Sequence, residues 1–241
     1  MSVNATGSGK QTGVFEDVID VFVNPSALFE RARTSSFARP ALIQTLLFAV
    51  LVLAVRNLVS PYFEAEFDRG MARAAAKGQE IPEGALAMSR KIATYGTLIL
   101  PIFAPWFVAL FGGLATWIGA RAVGARLSFG QSATIASWSY TPAVLGFIAM
   151  AVQGAVSDTT AVRGVSDASL GLSRFLDPAT ASPALLALLN NLDLFGIWSL
   201  VLTAIGISVV ARTTRGTGGI AALIRFAIGA LVTVLPAALR G

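Results

Sequence analysis

Five stretches of this chain are too long and too apolar to be explained by a soluble core. They fall near residues 41–59, 93–120, 131–156, 192–211 and 219–239. Each is long enough to cross roughly 30 Å of hydrocarbon at about 1.5 Å of rise per helical residue. The fold class that follows is an all-α polytopic membrane protein with five transmembrane helices. Composition supports it, because only 13% of the 241 residues are charged and 55% are hydrophobic, with a mean hydropathy of +0.71. Soluble domains carry about 25% charged residues. Too few charges remain to coat a soluble surface, so the apolar surface faces lipid.

The absent residues limit the chemistry as firmly. With no histidine and no cysteine, disulfides, Cys/His zinc sites, haem ligation and any histidine base or thiolate nucleophile are excluded. No cofactor is expected. The net charge of +5 and pI near 10.2 reflect basic residues spread along the chain. They form no dense cluster or basic helix, so they read as span flanks and no nucleic-acid partner is expected.

The chain divides into three parts. Residues 1–13, MSVNATGSGKQTG, are polar and Gly/Ser-rich and read as a flexible tail. They lack the charged and apolar regions of a secretory signal, so the first span is expected to be kept as a signal anchor. Residues 14–39 form a cytoplasmic amphipathic segment in which Val14, Val18, Val21, Phe22, Leu28 and Phe29 recur at helical spacing. Asn24-Pro25 supplies an N-cap and first-turn pair for a short helix over 25–33. That helix is expected to place Leu28 and Phe29 on lipid and Glu30, Arg31 and Arg33 in water, as a short cytoplasmic interfacial helix; a solvated arm is the alternative. Residues 40–241 make the five-span membrane domain.

Proline punctuates the spans. Pro101 and Pro105 lie four apart in the long second span and predict a kink, while Pro142 lies in the third and Pro236 near the end of the fifth. Arg121 and Arg126 occupy the tight 2–3 loop, Arg212 and Arg215 the 4–5 loop, and Arg31, Arg33 and Arg39 precede span 1. The positive-inside rule then puts the N-terminus in the cytoplasm and the C-terminus outside, since the basic residues of the opposite side lie mainly in two long, acid-bearing loops. In the first of these, Arg69, Arg73 and Lys77 recur every four residues, which predicts a short solvated helix with Glu66 near Arg69. In the second, one short helix is expected over ASPALLALLNN.

Candidate sites are few. Gly112, Thr116, Ala120 and Gly124 follow one another at i+4, a small-residue ridge that lets helices approach closely in lipid. It could serve a homo-oligomer interface or packing within one bundle. Span 3 opens QSATIASWSYTP, whose Ser132, Ser137, Ser139, Tyr140 and Thr141 read as interhelical glue more readily than as a substrate path. Arg225 lies about 9 Å into span 5 by helical rise and is expected to snorkel to the interface. Arg56 and Asp193 lie at matching depth and form a candidate structural pair docking span 1 on span 4. Asp193 also stands where an N-cap is needed, and that reading requires no partner.

VFVNPSALFERAR before span 1, GARAVGARLSFGQSATIASWSYTP across the 2–3 connection, and LDLFGIWSLVLTAIGISVVARTTRG through span 4 resemble the Yip1 domain family over about residues 17–240. The resemblance implies five spans and a cytosolic N-terminus. Eukaryotic relatives act in early secretory trafficking and bind small GTPases. Their DLYGP-type motif is absent and the cytoplasmic arm is short, so GTPase binding is not carried over. The Ala, Gly and Arg richness resembles a bacterial protein, which places the chain in the cytoplasmic membrane. The expected role is noncatalytic: an integral membrane protein that organises or binds membrane partners, among them the lipid bilayer, a second copy or other membrane proteins. A small transporter, channel or lipid scramblase is the alternative. With no GxSxG motif and no histidine, no enzymatic activity is expected.

Overall fold

The computed structural model describes residues 13–79, 82–158 and 161–240; nearly all of the N-terminal tail read from the sequence, residues 1–12, lies outside them. The chain is helical throughout its long elements: α1 (Val14–Val23), α2 (Pro25–Arg31), α3 (Ala38–Ala76), α4 (Glu83–Phe107), α5 (Gly113–Ala122), α6 (Phe129–Ser139), α7 (Pro142–Val156), α8 (Pro183–Asn190), α9 (Leu194–Val210) and α10 (Arg215–Arg240). Among the described residues four helical stretches are long and apolar enough to cross a membrane: 38–76, 83–122, 129–156 and 215–239. The fourth expected span is α9, an apolar helix of 17 residues. At about 26 Å it falls just short of the roughly 30 Å hydrocarbon layer.

Proline and glycine set the breaks. Pro101 and Pro105 withdraw two N–H groups from α4. Just beyond them the helix widens into a π-turn over Val108–Gly112 before resuming as α5, so the predicted irregularity is a local widening within one continuous rod. Pro142 divides the third span, with Tyr140 and Thr141 between α6 and α7. Gly124 adopts φ +76° just after α5, where the Ala125 N–H donates to the Ala120 carbonyl and the Gly124 N–H to that of Arg121. This is a Schellman ending, in which a left-handed residue returns the last carbonyls of the helix to hydrogen bonding. Ser128 then starts α6 with a capping box closed by Gln131.

The third span is the centre of the bundle. Its apolar window is 56% buried, against 17–22% for the other three, and every residue from Ser132 to Ser139 is buried. Small side chains there admit α5, α9 and the π-turn at close range. Gly113 sits so near α6 that a Cβ would lie 2.8 Å from the Cα of Ala133, and at Gly119 it would collide with the Ala221 carbonyl of α10. α3 runs along α7, sharing a core of Phe48, Val52, Val59, Val144, Phe147 and Ala151.

Two expectations are corrected here. Leu28 and Phe29 do not face lipid: they are 1% and 0% exposed, packed with Ile135, Leu202 and Ile207 against α6 and α9. Gly206 leaves room for the Phe29 ring, which would lie 3.0 Å from a Cβ at that position. The helix is therefore a plug in one end of the bundle, and burial against protein replaces burial in lipid. Its cap is as expected, Asn24 accepting from the Ala27 N–H. The apolar residues left exposed are on α1, where Phe15, Ile19 and Val23 form a row at i+4. The second correction concerns α3, which does not stop near residue 59 and restart as a separate helix. It continues through Pro61 for 39 residues, and the Glu66–Arg69 pair forms on this extension.

Candidate functional site

Two ends of the bundle can be distinguished without reference to a membrane. One carries α1, α2 and the turns 123–128 and 211–214; Arg215 donates to Ser26 Oγ there at 3.0 Å. Arg31 bridges Asp17 and Asp20 at 3.1 and 2.5 Å, and Arg39 reaches Asp17 at 2.8 Å, fixing α1 and α2 to the start of α3. The other carries the long loops. Arg90 of α4 pairs with Asp68 of α3 at 2.7 Å and stands over the Phe67 ring. Arg73 donates to the Pro178 carbonyl at 2.5 Å, tying the 157–182 loop to the same hairpin.

Between α3, α4, α7, α9 and α10 lies a cavity of about 1250 Å³. It exists because α4 packs on α3 while α10 packs on α5, α8 and α9, leaving α4 and α10 without a shared packing face. Its lining is mostly apolar, with Phe48, Phe63, Leu100, Phe147 and Phe195 prominent and with Gly96, Gly146 and Gly229 keeping the walls thin. Its polar lining comprises Glu66, Ser169, Asn190, Asn191 and Asp193 at the long-loop end, Thr97, Tyr140 and Ser199 along the walls, and Arg225 on α10. Ile92, Leu100, Phe111 and Val232 line it while staying 62%, 64%, 65% and 71% exposed, so the cavity opens sideways at the protein's apolar flank.

Arg225 is ten residues into α10, about 15 Å along its axis. In place of snorkelling, its side chain turns inward. The π-turn brings Gly112 opposite it, where a Cβ would lie 3.5 Å from Nη2. Nε is sealed from the surface and has no hydrogen-bond partner, and no acid pairs with Arg225 among the described residues.

The remaining sequence candidates separate. Asp193 accepts the Gly196 N–H at 2.7 Å and caps α9, with Gly171 bridged beside it. Arg56 is exposed, and among the described residues it makes no ion pair with Asp193. Of the small-residue ridge, Thr116 and Ala120 are wholly buried, in a helix that packs within this chain on α6 and α10. Gly112 faces Arg225, and Gly124 lies past the helix end in the Schellman turn.

Sequence reasoning passed over Gln44. It is 2% exposed, and its Nε2 donates to the Ser137 carbonyl at 2.7 Å and to Thr141 Oγ1 at 3.0 Å. In the turn before Pro142 the Ser137 carbonyl accepts the Tyr140 N–H at 3.1 Å, and Gln44 of α3 adds a second donor to it. The signal was available as a lone amide in the apolar run ALIQTLLF. Trp138 is buried at 2% and belongs to the core.

A family model described as Yip1 domain matches residues 19–235. The comparisons with curated proteins and with solved structures find no match.

Proposed function

The chain belongs to the Yip1 domain family, and from that premise we propose that it is a noncatalytic integral membrane protein that receives a membrane component within its bundle and organises partners around it. The observation that carries the reading is the 1250 Å³ cavity, apolar along its walls and open to the side. Drug-sized ligands occupy about 300–1,000 Å³; a space larger than that, reached from the flank that faces lipid, suits a hydrophobic occupant. The arginine-bearing short turns gather at the same end as α1 and α2, which supports an N-terminus in the cytoplasm and a C-terminus outside. A bacterial cytoplasmic membrane is the proposed location, on composition.

Purification in mild detergent, followed by mass spectrometry of the intact assembly, tests the role. Lipid or a protein partner retained in fixed ratio is the expected result, and a bare monomer overturns the reading. A second reading, lipid scrambling or transport, draws support from the cavity joining the polar end at Asn190 to the mid-helix Arg225. Reconstituted liposomes whose flux and lipid flip match empty controls would dispose of it.

A further inference from the structure

We propose that Arg225 is the recognition residue for an anionic membrane lipid, whose headgroup it binds inside the cavity while the acyl chains leave sideways between α4 and α10. The inference rests on the reading that the cavity holds a membrane component, and goes further by naming the charge of that component and the group that selects it.

Charge bookkeeping within the cavity leads there. Its lining contains three ionisable groups besides the phenol of Tyr140: Glu66, Asp193 and Arg225. Glu66 is paired with Arg69, and Asp193 is occupied by the Gly196 N–H. Arg225 has no such partner, and its Nε is cut off from the surface. A charge placed this deep in a span is costly unless a counter-charge or hydrogen-bond acceptor meets it. On the facing helix Thr116 turns its hydroxyl proton onto the Gly112 carbonyl at 2.7 Å, and among the described residues no group accepts a hydrogen bond from Arg225. The missing acceptor therefore comes from outside the chain.

Shape narrows the choice. A small free anion would satisfy the guanidinium but leave the apolar walls unfilled, whereas a lipid supplies phosphate oxygens to a planar donor fork and chains to the walls. The exposed edges at Ile92, Leu100, Phe111 and Val232 continue from the cavity onto the lipid-facing flank, so the chains need not be withdrawn from the bilayer. Gly112, without a side chain, leaves the guanidinium its place.

The test uses the full-length protein in mild detergent with fluorescent phosphatidylglycerol and phosphatidylcholine of identical chains. Wild type is expected to bind the anionic lipid about tenfold more tightly, the scale of one charge-assisted interaction, and Arg225→Gln to lose that preference while still binding both. Equal wild-type affinities overturn the anionic assignment yet leave the cavity's role standing, whereas binding of neither lipid defeats both readings. Competition by glycerol phosphate, which has no chains, should be negligible; displacement at equal concentration would make the site a free-anion site and overturn the lipid proposal. Gly229→Phe provides a variant independent of Arg225, because a Cβ at Gly229 meets nothing within 4 Å and the ring obstructs the wall along which the chains would lie. It should lose binding of both lipids at unchanged melting temperature. Retained binding would place the lipid elsewhere and sink the proposal, even if Arg225→Gln proves too unstable to purify.

Discussion

A single amide holds the broken centre of this bundle. Gln44 adds a second donor to the Ser137 carbonyl, which also accepts the Tyr140 N–H in the turn before Pro142, and its own Oε1 is left buried without a partner. Gln44→Leu should therefore lower stability by only about 1 kcal/mol, since it removes the orphaned Oε1 and leaves the Ser137 carbonyl its Tyr140 N–H. Gln44→Glu should cost more, because it buries a carboxylate whose oxygens face a carbonyl that is itself an acceptor. Thermal unfolding in detergent, with the order wild type, then Leu, then Glu, checks it. Asp193 is a capping residue on the same terms: Asp193→Ala is expected to cost about 1 kcal/mol and Asp193→Asn much less. Since Arg56 makes no pair with it, Asp193→Arg should be no better tolerated in an Arg56→Asp background than alone, and a melting-temperature cycle showing coupling would contradict that. The cap was legible because N-cap chemistry depends on four consecutive residues. Arg225's inward turn was not, because snorkelling depends on which helix stands opposite, and spacing along one helix carries no such information.

At the scale of elements, the glycines of the spans separate into two kinds that look alike in the sequence. At Gly154 a Cβ would run into the Leu58 carbonyl of α3, whereas at Gly96 it meets only the end of Leu100, at 3.7 Å. Gly154→Ala should thus cost about 1–3 kcal/mol by forcing α7 off α3. Gly96→Ala should be neutral or stabilise by about 0.5–1 kcal/mol, since alanine is the better helix former. Paired thermal shifts in one detergent would show whether the difference has this sign. Helix existence was readable from apolar run length alone, and the prolines marked where the rods would be irregular. Two things were hidden. The fusion of span 1 with its solvated extension depended on Pro61 being absorbed into a continuing helix. The burial of Leu28 and Phe29 depended on Gly206, nearly 180 residues downstream, leaving a notch of the right size.

For the whole molecule, the separation of two chemically distinct ends makes sidedness testable. The chain contains no cysteine, so single cysteines can be introduced without a background. Arg126→Cys in the short turn should resist a membrane-impermeant thiol reagent applied to intact cells, and Glu83→Cys at the long-loop end should react; the reverse pattern would invert the topology. The gathering of basic residues in the two short turns was legible because charge in tight loops is a local property. The cavity was not, since it arises from an omission of packing between two helices far apart in sequence. That omission gives α3 a mechanical meaning. From Gln44, where it is pinned to the centre, to Ala76 at its far tip, the rod is about 48 Å long, and α4 rides on it. The core α3 shares with α7 ends at Val59, so as a lever it pivots there: the remaining stretch to Ala76 is about 26 Å, and a lean of about 5° carries the tip sideways by about 2 Å. The slit beside α10 is the joint such a lean would work first, because α4 is seated on α3 and not on α10.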